Sequence, residues 1–142
     1  GLSGRIVGGW TANVAYAYLS GEVTSATNGA IVGNAAPGVS RHNVTLWTAY
    51  DIPHTLLPVP GKLTIGGGLQ YATGYWADSA NTAKMPDNFS LDAMIAYKVG
   101  KYRISLNGYN LTDHLNYQSS FGAVRAVPTS RRTFLLKVVM TF

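Results

Sequence analysis

Thr133-Phe134-Leu135-Leu136-Lys137-Val138-Val139-Met140-Thr141-Phe142 is a run in which Phe134, Leu136, Val138, Met140 and Phe142 fall on one face. Thr133, Leu135, Lys137, Val139 and Thr141 fall on the other. A period of two is the signature of a strand, since successive side chains of extended backbone point to opposite sides. One face is wholly apolar and ends in an aromatic ring, whereas the other carries a lysine and threonines. That asymmetry suits a wall with hydrocarbon on one side and a wet or plugged lumen on the other.

Worked outward from this run, the same alternation predicts strands near 2–7, 10–24, 41–52, 62–76, 89–99, 101–112 and 132–142, and no helix. The connections at Gly8-Gly9, Pro53 to Gly61 and Gly100-Lys101 are mostly tight. Those at Ser25 to Ser40, Ala77 to Asn88 and Asp113 to Arg131 are long and polar. Short and long alternate, as in outer-membrane barrels, where short turns face the periplasm and long loops face outside. The residues assigned to the lipid side include Trp10, Val14, Leu46, Ile65, Tyr75, Leu91, Ile95 and Leu106. Aromatics bracket this aliphatic band: Trp10, Tyr50, Tyr97, Tyr102 and Phe142 at the periplasmic rim, and Tyr18, Tyr75, Phe89 and Phe134 at the outer one. A strand of about ten tilted residues crosses a hydrocarbon layer of about 25 Å. The fold class is therefore all-β, an antiparallel transmembrane β-barrel segment of about seven strands. The competing reading is a soluble sandwich or lipocalin-like barrel with the apolar face turned inward.

Composition agrees with a membrane wall. The 142 residues are 46% apolar but only 12% charged, about half the usual charged share. No run of 18 consecutive apolar residues supports a transmembrane helix. The net charge of +5 is scattered, with only Arg131 and Arg132 adjacent, so no basic stripe tracks nucleic-acid phosphates. Without cysteine there is neither a disulfide nor a thiolate metal site to argue. Seven strands is an odd number, closed single-chain barrels normally have an even one, and an orphan strand edge in lipid costs several kcal/mol. Together with a first residue, Gly1, that lies at the edge of a strand run, this leads us to expect residues 1–142 to be part of a larger barrel.

Four phrases, in order, resemble the carboxyl-terminal barrel of TonB-dependent siderophore receptors. Ser40-Arg41-His42-Asn43-Val44-Thr45-Leu46-Trp47-Thr48-Ala49-Tyr50 looks like the family's P-R-H…L-W-x-x-Y strand. Pro60-Gly61-Lys62-Leu63-Thr64-Ile65-Gly66-Gly67-Gly68-Leu69-Gln70-Tyr71 is similar to P-G-L-x-x-G-G-G-x-x-Y. Leu91-Asp92-Ala93-Met94-Ile95-Ala96-Tyr97 resembles x-D-A-M-x-x-Y, and Asn107-Gly108-Tyr109-Asn110-Leu111-Thr112-Asp113 resembles N-x-x-N-L-T-D. The likeness spans about residues 38–142. It departs from the pattern at Ser40, where the family has proline, and at Pro128, which is separated from Arg131.

The resemblance implies a plugged 22-stranded barrel, with the plug domain and the TonB-contacting segment outside residues 1–142. The complete receptor would bind a ferric siderophore outside and admit it with work done by the TonB complex, the iron arriving in the ligand and no cofactor being bound directly. This segment alone would not transport. Phe134, Leu136, Val138, Met140 and Phe142 would form the signal read by the barrel-assembly machinery, and outer-membrane lipids would surround the wall. The alternative is a small outer-membrane barrel acting as a structural anchor or adhesin.

Nothing local marks an enzyme. His42, His54 and His114 lie far apart without metal-ligand spacing, and no nucleophile elbow or carboxylate pair occurs. Asp92, Lys98, Arg103 and Lys137 fall on the lumen side, where charge can pair with neighbouring strands or a plug. Asn107, Asn110 and Asp113 suit local hydrogen bonds at a strand end. Ligand contact is expected from Tyr75, Trp76, Tyr117, Phe121, Arg125, Arg131 and Arg132, because flat apolar surfaces with fixed positive charge fit anionic chelates by stacking and charge-assisted hydrogen bonds.

Overall fold

The computed structural model describes all 142 residues. Its strands are β1 (Leu2–Arg5), β2 (Trp10–Tyr18), β3 (His42–Ile52), β4 (Lys62–Ala72), β5 (Asn88–Val99), β6 (Tyr102–Tyr109), β7 (Tyr117–Phe121), β8 (Arg125–Pro128) and β9 (Thr133–Met140). Seven of them form one antiparallel sheet in the order β1-β2-β3-β4-β5-β6-β9, while β7 and β8 pair as a separate hairpin inside the last long connection. Apart from that hairpin, each strand pairs with the next along the chain, as in an up-and-down wall.

The register carries one apolar face across all seven strands. Val14 lies opposite Leu46, Leu46 opposite Leu69 and Leu69 opposite Leu91. Nearer the short turns, Ile65 meets Ile95, Ile95 meets Leu106 and Leu106 meets Leu136. No charged Asp, Glu, Lys or Arg occupies this face within the sheet. Most of its large side chains are exposed, with Phe134, Leu136 and Val138 each above 60%. A contiguous apolar surface of this size does not stay in water, so it marks contact with lipid. A concavity lies on the opposite, polar face, where Asn43, Thr45, Gln70, Ser90 and Asp92 line it. The inward-facing soluble barrel would need the reverse.

Polar groups that do reach the lipid face find partners, as a solvent without hydrogen bonds requires. Trp10 Nε1 donates to Thr48 Oγ1 at 2.5 Å, and the Thr48 hydroxyl donates to the Thr11 carbonyl at 3.0 Å. At the outer rim the Tyr16 hydroxyl and His42 Nδ1 are 3.0 Å apart.

Five strands stop short of the expected limits, the first at Arg5 rather than 7 and the last at Met140 rather than 142. The second ends at Tyr18 rather than 24, beyond which Glu22 makes only an isolated bridge with Ala35. The fourth ends at Ala72 rather than 76, since the chain at Gly74 presses so closely on the next loop that a Cβ there would lie 2.2 Å from the Met85 carbonyl oxygen. The sixth ends at Tyr109 because Asn110 turns left-handed at φ 49°. The hairpin β7–β8 lies within a segment expected to be loop, and two short 3₁₀ turns, at Gly29–Ile31 and Gly122–Val124, are the only helical features.

Tyr75 requires a correction. It was expected on the lipid-facing outer rim, but it lies beyond the strand with 9% of its surface exposed. There it forms a small core with Ala77 and Met85, against which Ala83 and Tyr117 pack. This cluster sits among the long connections and gives them an interior of their own.

Candidate functional site

The long connections are held to the sheet by asparagines that imitate strand neighbours. Asn116, 7% exposed, accepts from the Phe89 N–H at 2.7 Å and donates to the Phe89 carbonyl at 2.7 Å. Asn88 does the same for Tyr117, at 2.9 Å and 2.8 Å. Asn81 does it for Ala35, at 2.9 Å in both directions. A primary amide presents one acceptor and two donors, so it closes a ring with the N–H and C=O of one distant residue. The first two long connections are thereby joined to each other, and the third to the start of β5. Asn116→Ala is expected to leave both Phe89 backbone groups unpaired and to destabilise the loop by about 2 kcal/mol. Hydrogen exchange at Phe89 and across 113–132 measures this, and unchanged protection there would show that the cradle contributes little.

Asp113 is the second fastening. Its carboxylate accepts from Arg131 Nε and Nη2, both at 3.1 Å, and from the Arg132 backbone N–H at 2.9 Å. Arg132 Nη1 also donates to the Leu111 carbonyl at 3.3 Å. The start and end of the 23-residue stretch 110–132 are thus clamped together. The Arg132 N–H and the Arg131 guanidinium hold the Asp113 carboxyl below its ordinary value. The Tyr71 hydroxyl and the Gly74 N–H do the same for Asp87, and the Thr82 hydroxyl for Asp78.

A depressed carboxyl pKa stabilises the fold above the unfolded value and loses that contribution as pH falls through the folded one. The second and third long connections, which hold these carboxylates, are therefore expected to be fully fastened at neutral pH and to loosen below about pH 3.8. Amide exchange corrected for its intrinsic rate reads this, and Asp113→Asn is expected to show the loosened 113–132 segment already at neutral pH.

These contacts separate the seven expected ligand residues. Arg131 and Arg132 are committed to Asp113 and Leu111. Tyr75 is buried, and Tyr117 packs against it. Trp76 is half-buried, with the Lys84 ammonium 5.9 Å from its ring centroid. Phe121 and Arg125 remain exposed and lie opposite each other at the tip of β7–β8. An aromatic ring and an unpaired guanidinium are thus presented together by a short turn.

Below the loops, the polar face forms a cavity of about 490 Å³ lined chiefly by amides and hydroxyls, among them Asn43, Gln70, Asn88, Ser90, Thr129 and Ser130. Sequence reasoning passed over Thr129 and Ser130, which carry no motif and arrive there through the loop fastening. Asp92 lies on this face and accepts from the Ser90 hydroxyl at 2.6 Å and the Asn110 N–H at 2.9 Å, not from a cation. Asn110, 4% exposed, also bonds the His114 carbonyl and N–H, whereas Asn107 reaches only the Leu135 carbonyl at 3.4 Å. Lys98, Arg103 and Lys137 share the polar face and form no ion pair within these residues. The histidines stay apart, and no cluster of three metal-ligating side chains occurs. The barrel-assembly candidates Phe134, Leu136, Val138 and Met140 occupy one face of β9, and Phe142 projects beyond it, fully exposed.

Residues 1–111 match the family described as TonB dependent receptor-like, beta-barrel. Over 149 aligned residues the chain is 32% identical to the probable TonB-dependent siderophore receptor PiuA of Acinetobacter baumannii, covering 97% of this chain and 19% of that protein. It is 31% identical over 101 residues to the ferrichrome outer membrane transporter/phage receptor of Escherichia coli, covering 71% of this chain and 13% of the relative. The crystal structure of the Acinetobacter baumannii siderophore receptor PiuA superposes with a TM-score of 0.82 at 31% identity, over 97% of this chain and 20% of the other. The chain thus spans no more than about a fifth of the length of these relatives.

Proposed function

The chain belongs to the TonB-dependent receptor β-barrel family, and on that premise we propose that it forms part of the wall and outer loops of an outer-membrane receptor for a ferric siderophore. The observation that carries this reading is the apolar face, free of Asp, Glu, Lys and Arg over seven strands and backed by a polar concavity. Lipid covers the first, and ligand and plug occupy the space bounded by the second. Uptake of a chelated ion needs no bond made or broken by the protein. Loops and plug supply binding energy, the TonB complex supplies direction, and the iron stays in its chelate. Residues 1–142 contribute wall, loops and the terminal strand offered to the assembly machinery, and do not transport alone.

In this division of labour, Phe121 and Arg125 are the residues of the segment best placed to meet an anionic chelate from outside, and the amide-lined cavity receives its neutral oxygens. Phe121→Ala and Arg125→Ala are each expected to weaken ferric-ligand binding about tenfold, or about 1.4 kcal/mol. Arg131→Ala should act through the Asp113 clamp instead, and raise amide exchange over 113–132.

The reading is tested by recovering the intact polypeptide from outer membranes through peptides of this segment. A species of about 75–80 kDa, what 22 strands and a plug require, supports the receptor. A species near 15.2 kDa, the mass of these residues alone, overturns it in favour of a small anchor or adhesin.

A further inference from the structure

The connection between β3 and β4, Pro53-His54-Thr55-Leu56-Leu57-Pro58-Val59-Pro60-Gly61, is the longest at its end of the sheet and contains no Asp, Glu, Lys or Arg. The charges that flank it, Asp51 and Lys62, neutralise each other at 2.8 Å. Leu56, Leu57 and Val59 are nonetheless exposed, Leu56 at 70%. On the adjoining hairpin, between β1 and β2, Ile6 and Val7 are exposed as well. Apolar side chains without charge among them thus project from two neighbouring turns.

The backbone of the β3–β4 turn is suited to leaving water. Pro53, Pro58 and Pro60 have no N–H. The N–H groups of Leu56 and Leu57 both donate to the Pro53 carbonyl, at 3.0 Å and 3.2 Å, and that of Val59 donates to the Leu57 carbonyl at 2.8 Å. From Leu56 to Pro60 every amide hydrogen is therefore bonded or absent, and an orphan amide is what keeps irregular backbone out of lipid. Carbonyls such as those of Leu56 and Pro58 accept no backbone bond, so they need water or headgroup donors. That sets the depth at the boundary between headgroups and acyl chains, not in the hydrocarbon. The turn is also tied to the lipid side. Ile52 and Leu63, at its two ends, lie opposite each other on the lipid face, and the hydroxyl of Tyr97, which is opposite Leu63 on that face, donates to the Pro60 carbonyl.

We infer that the β3–β4 turn docks on the lipid surface at the short-turn end, with Leu56, Leu57 and Val59 inserted at the boundary between headgroups and acyl chains. The patch continues the lipid-facing surface through Ile52, Leu63 and Tyr97, which selects lipid over a soluble protein. It also carries no charge by which a soluble partner would be steered to it. The turn thereby fixes how deep β3 and β4 sit. The inference rests on the membrane-wall reading above and adds to it a contact made outside the strands.

Nitroxide labels on Leu56→Cys, Leu57→Cys and Val59→Cys variants test it, each in the intact polypeptide freed of other cysteines and reconstituted in phosphatidylcholine vesicles. These side chains are exposed, so a label there displaces no packed neighbour. Collisions with oxygen and with a water-soluble nickel chelate are compared with those of Arg103→Cys and Ile104→Cys, which report the two faces of the wall. The expected result is an excess of oxygen over nickel collisions at all three turn positions, on the side of Ile104. An excess of nickel collisions there, with positions 103 and 104 still contrasting, overturns the inference. Protection from both probes overturns it too, because protein would then cover the turn. Loss of the contrast between 103 and 104 would instead overturn the wall reading itself, so the two failures are told apart.

Discussion

Leu106→Lys is expected to destabilise the inserted wall by about 2–4 kcal/mol, while Asn107→Lys, one residue further, costs under about 1 kcal/mol. Leu106 lies midway along β6 between Ile95 and Leu136, on the face that carries no charge. A lysine there has no water within reach near the bilayer midplane, and its neighbours on both sides are aliphatic. Asn107 points to the polar face, between Met94 and Leu135, where an ammonium can hydrate in the lumen. The two substitutions share a strand, a charge and nearly a depth, so their difference isolates the face. Urea unfolding in lipid vesicles or the fraction of heat-modifiable folded protein measures it. Equal costs would mean that β6 does not separate lipid from lumen.

Gly68→Ala is expected to destabilise by at least about 2 kcal/mol, the scale of overpacking in a well-packed site. A Cβ there would lie 2.2 Å from the Leu46 carbonyl oxygen and 2.7 Å from Cε3 of Trp47. The first contact is backbone, so no rotamer relieves it, and β3 would have to move from β4. Gly67→Ala provides the comparison, because its nearest heavy atom is the Asp92 carbonyl oxygen at 3.3 Å. It should cost less than half as much. Two of the three consecutive glycines therefore have separate roles: Gly68 makes room for the Trp47 ring on the polar face, and Gly67 faces lipid. Thermal unfolding of the two variants in detergent ranks them, and equal stability would contradict the packing of Trp47 over Gly68.

The sheet was legible because its two sides touch different solvents. From Phe134 to Met140 every second residue is apolar, and the same phase carried through β2 to β6 placed every strand residue assigned to lipid on the face where it is found. Tyr75 failed because periodicity was extended past Ala72, where the Gly74 contact ends the strand and loop packing takes over. The hairpin β7–β8 was missed for a related reason. Its residues mix polar and apolar types and none is buried, so no solvent difference is imprinted on them.

The loop site was less legible still. Arg131 carries the right chemistry for an anionic ligand, but its commitment to Asp113 depends on a fold-back across 18 residues that no local spacing reveals. The asparagine cradles join residues 27 to 46 apart in sequence, with nothing to distinguish Asn81, Asn88 and Asn116 from ordinary loop asparagines. Lys98, Arg103 and Lys137, by contrast, were legible as lumen-side cations. Only the register showed that Lys62 joins them, directly opposite Lys98.

The central claim is that one face of this sheet meets lipid and the other a lumen. Since residues 1–142 contain no cysteine, single cysteines at positions 102–109 can each carry a nitroxide in the intact polypeptide, made free of any other cysteine and inserted in a membrane. Collision rates with oxygen and with a water-soluble nickel chelate then report each side. The account predicts oxygen maxima at Tyr102, Ile104, Leu106 and Gly108 and nickel maxima at Arg103, Ser105 and Asn107, alternating residue by residue. A flat profile, or the opposite phase, would contradict it.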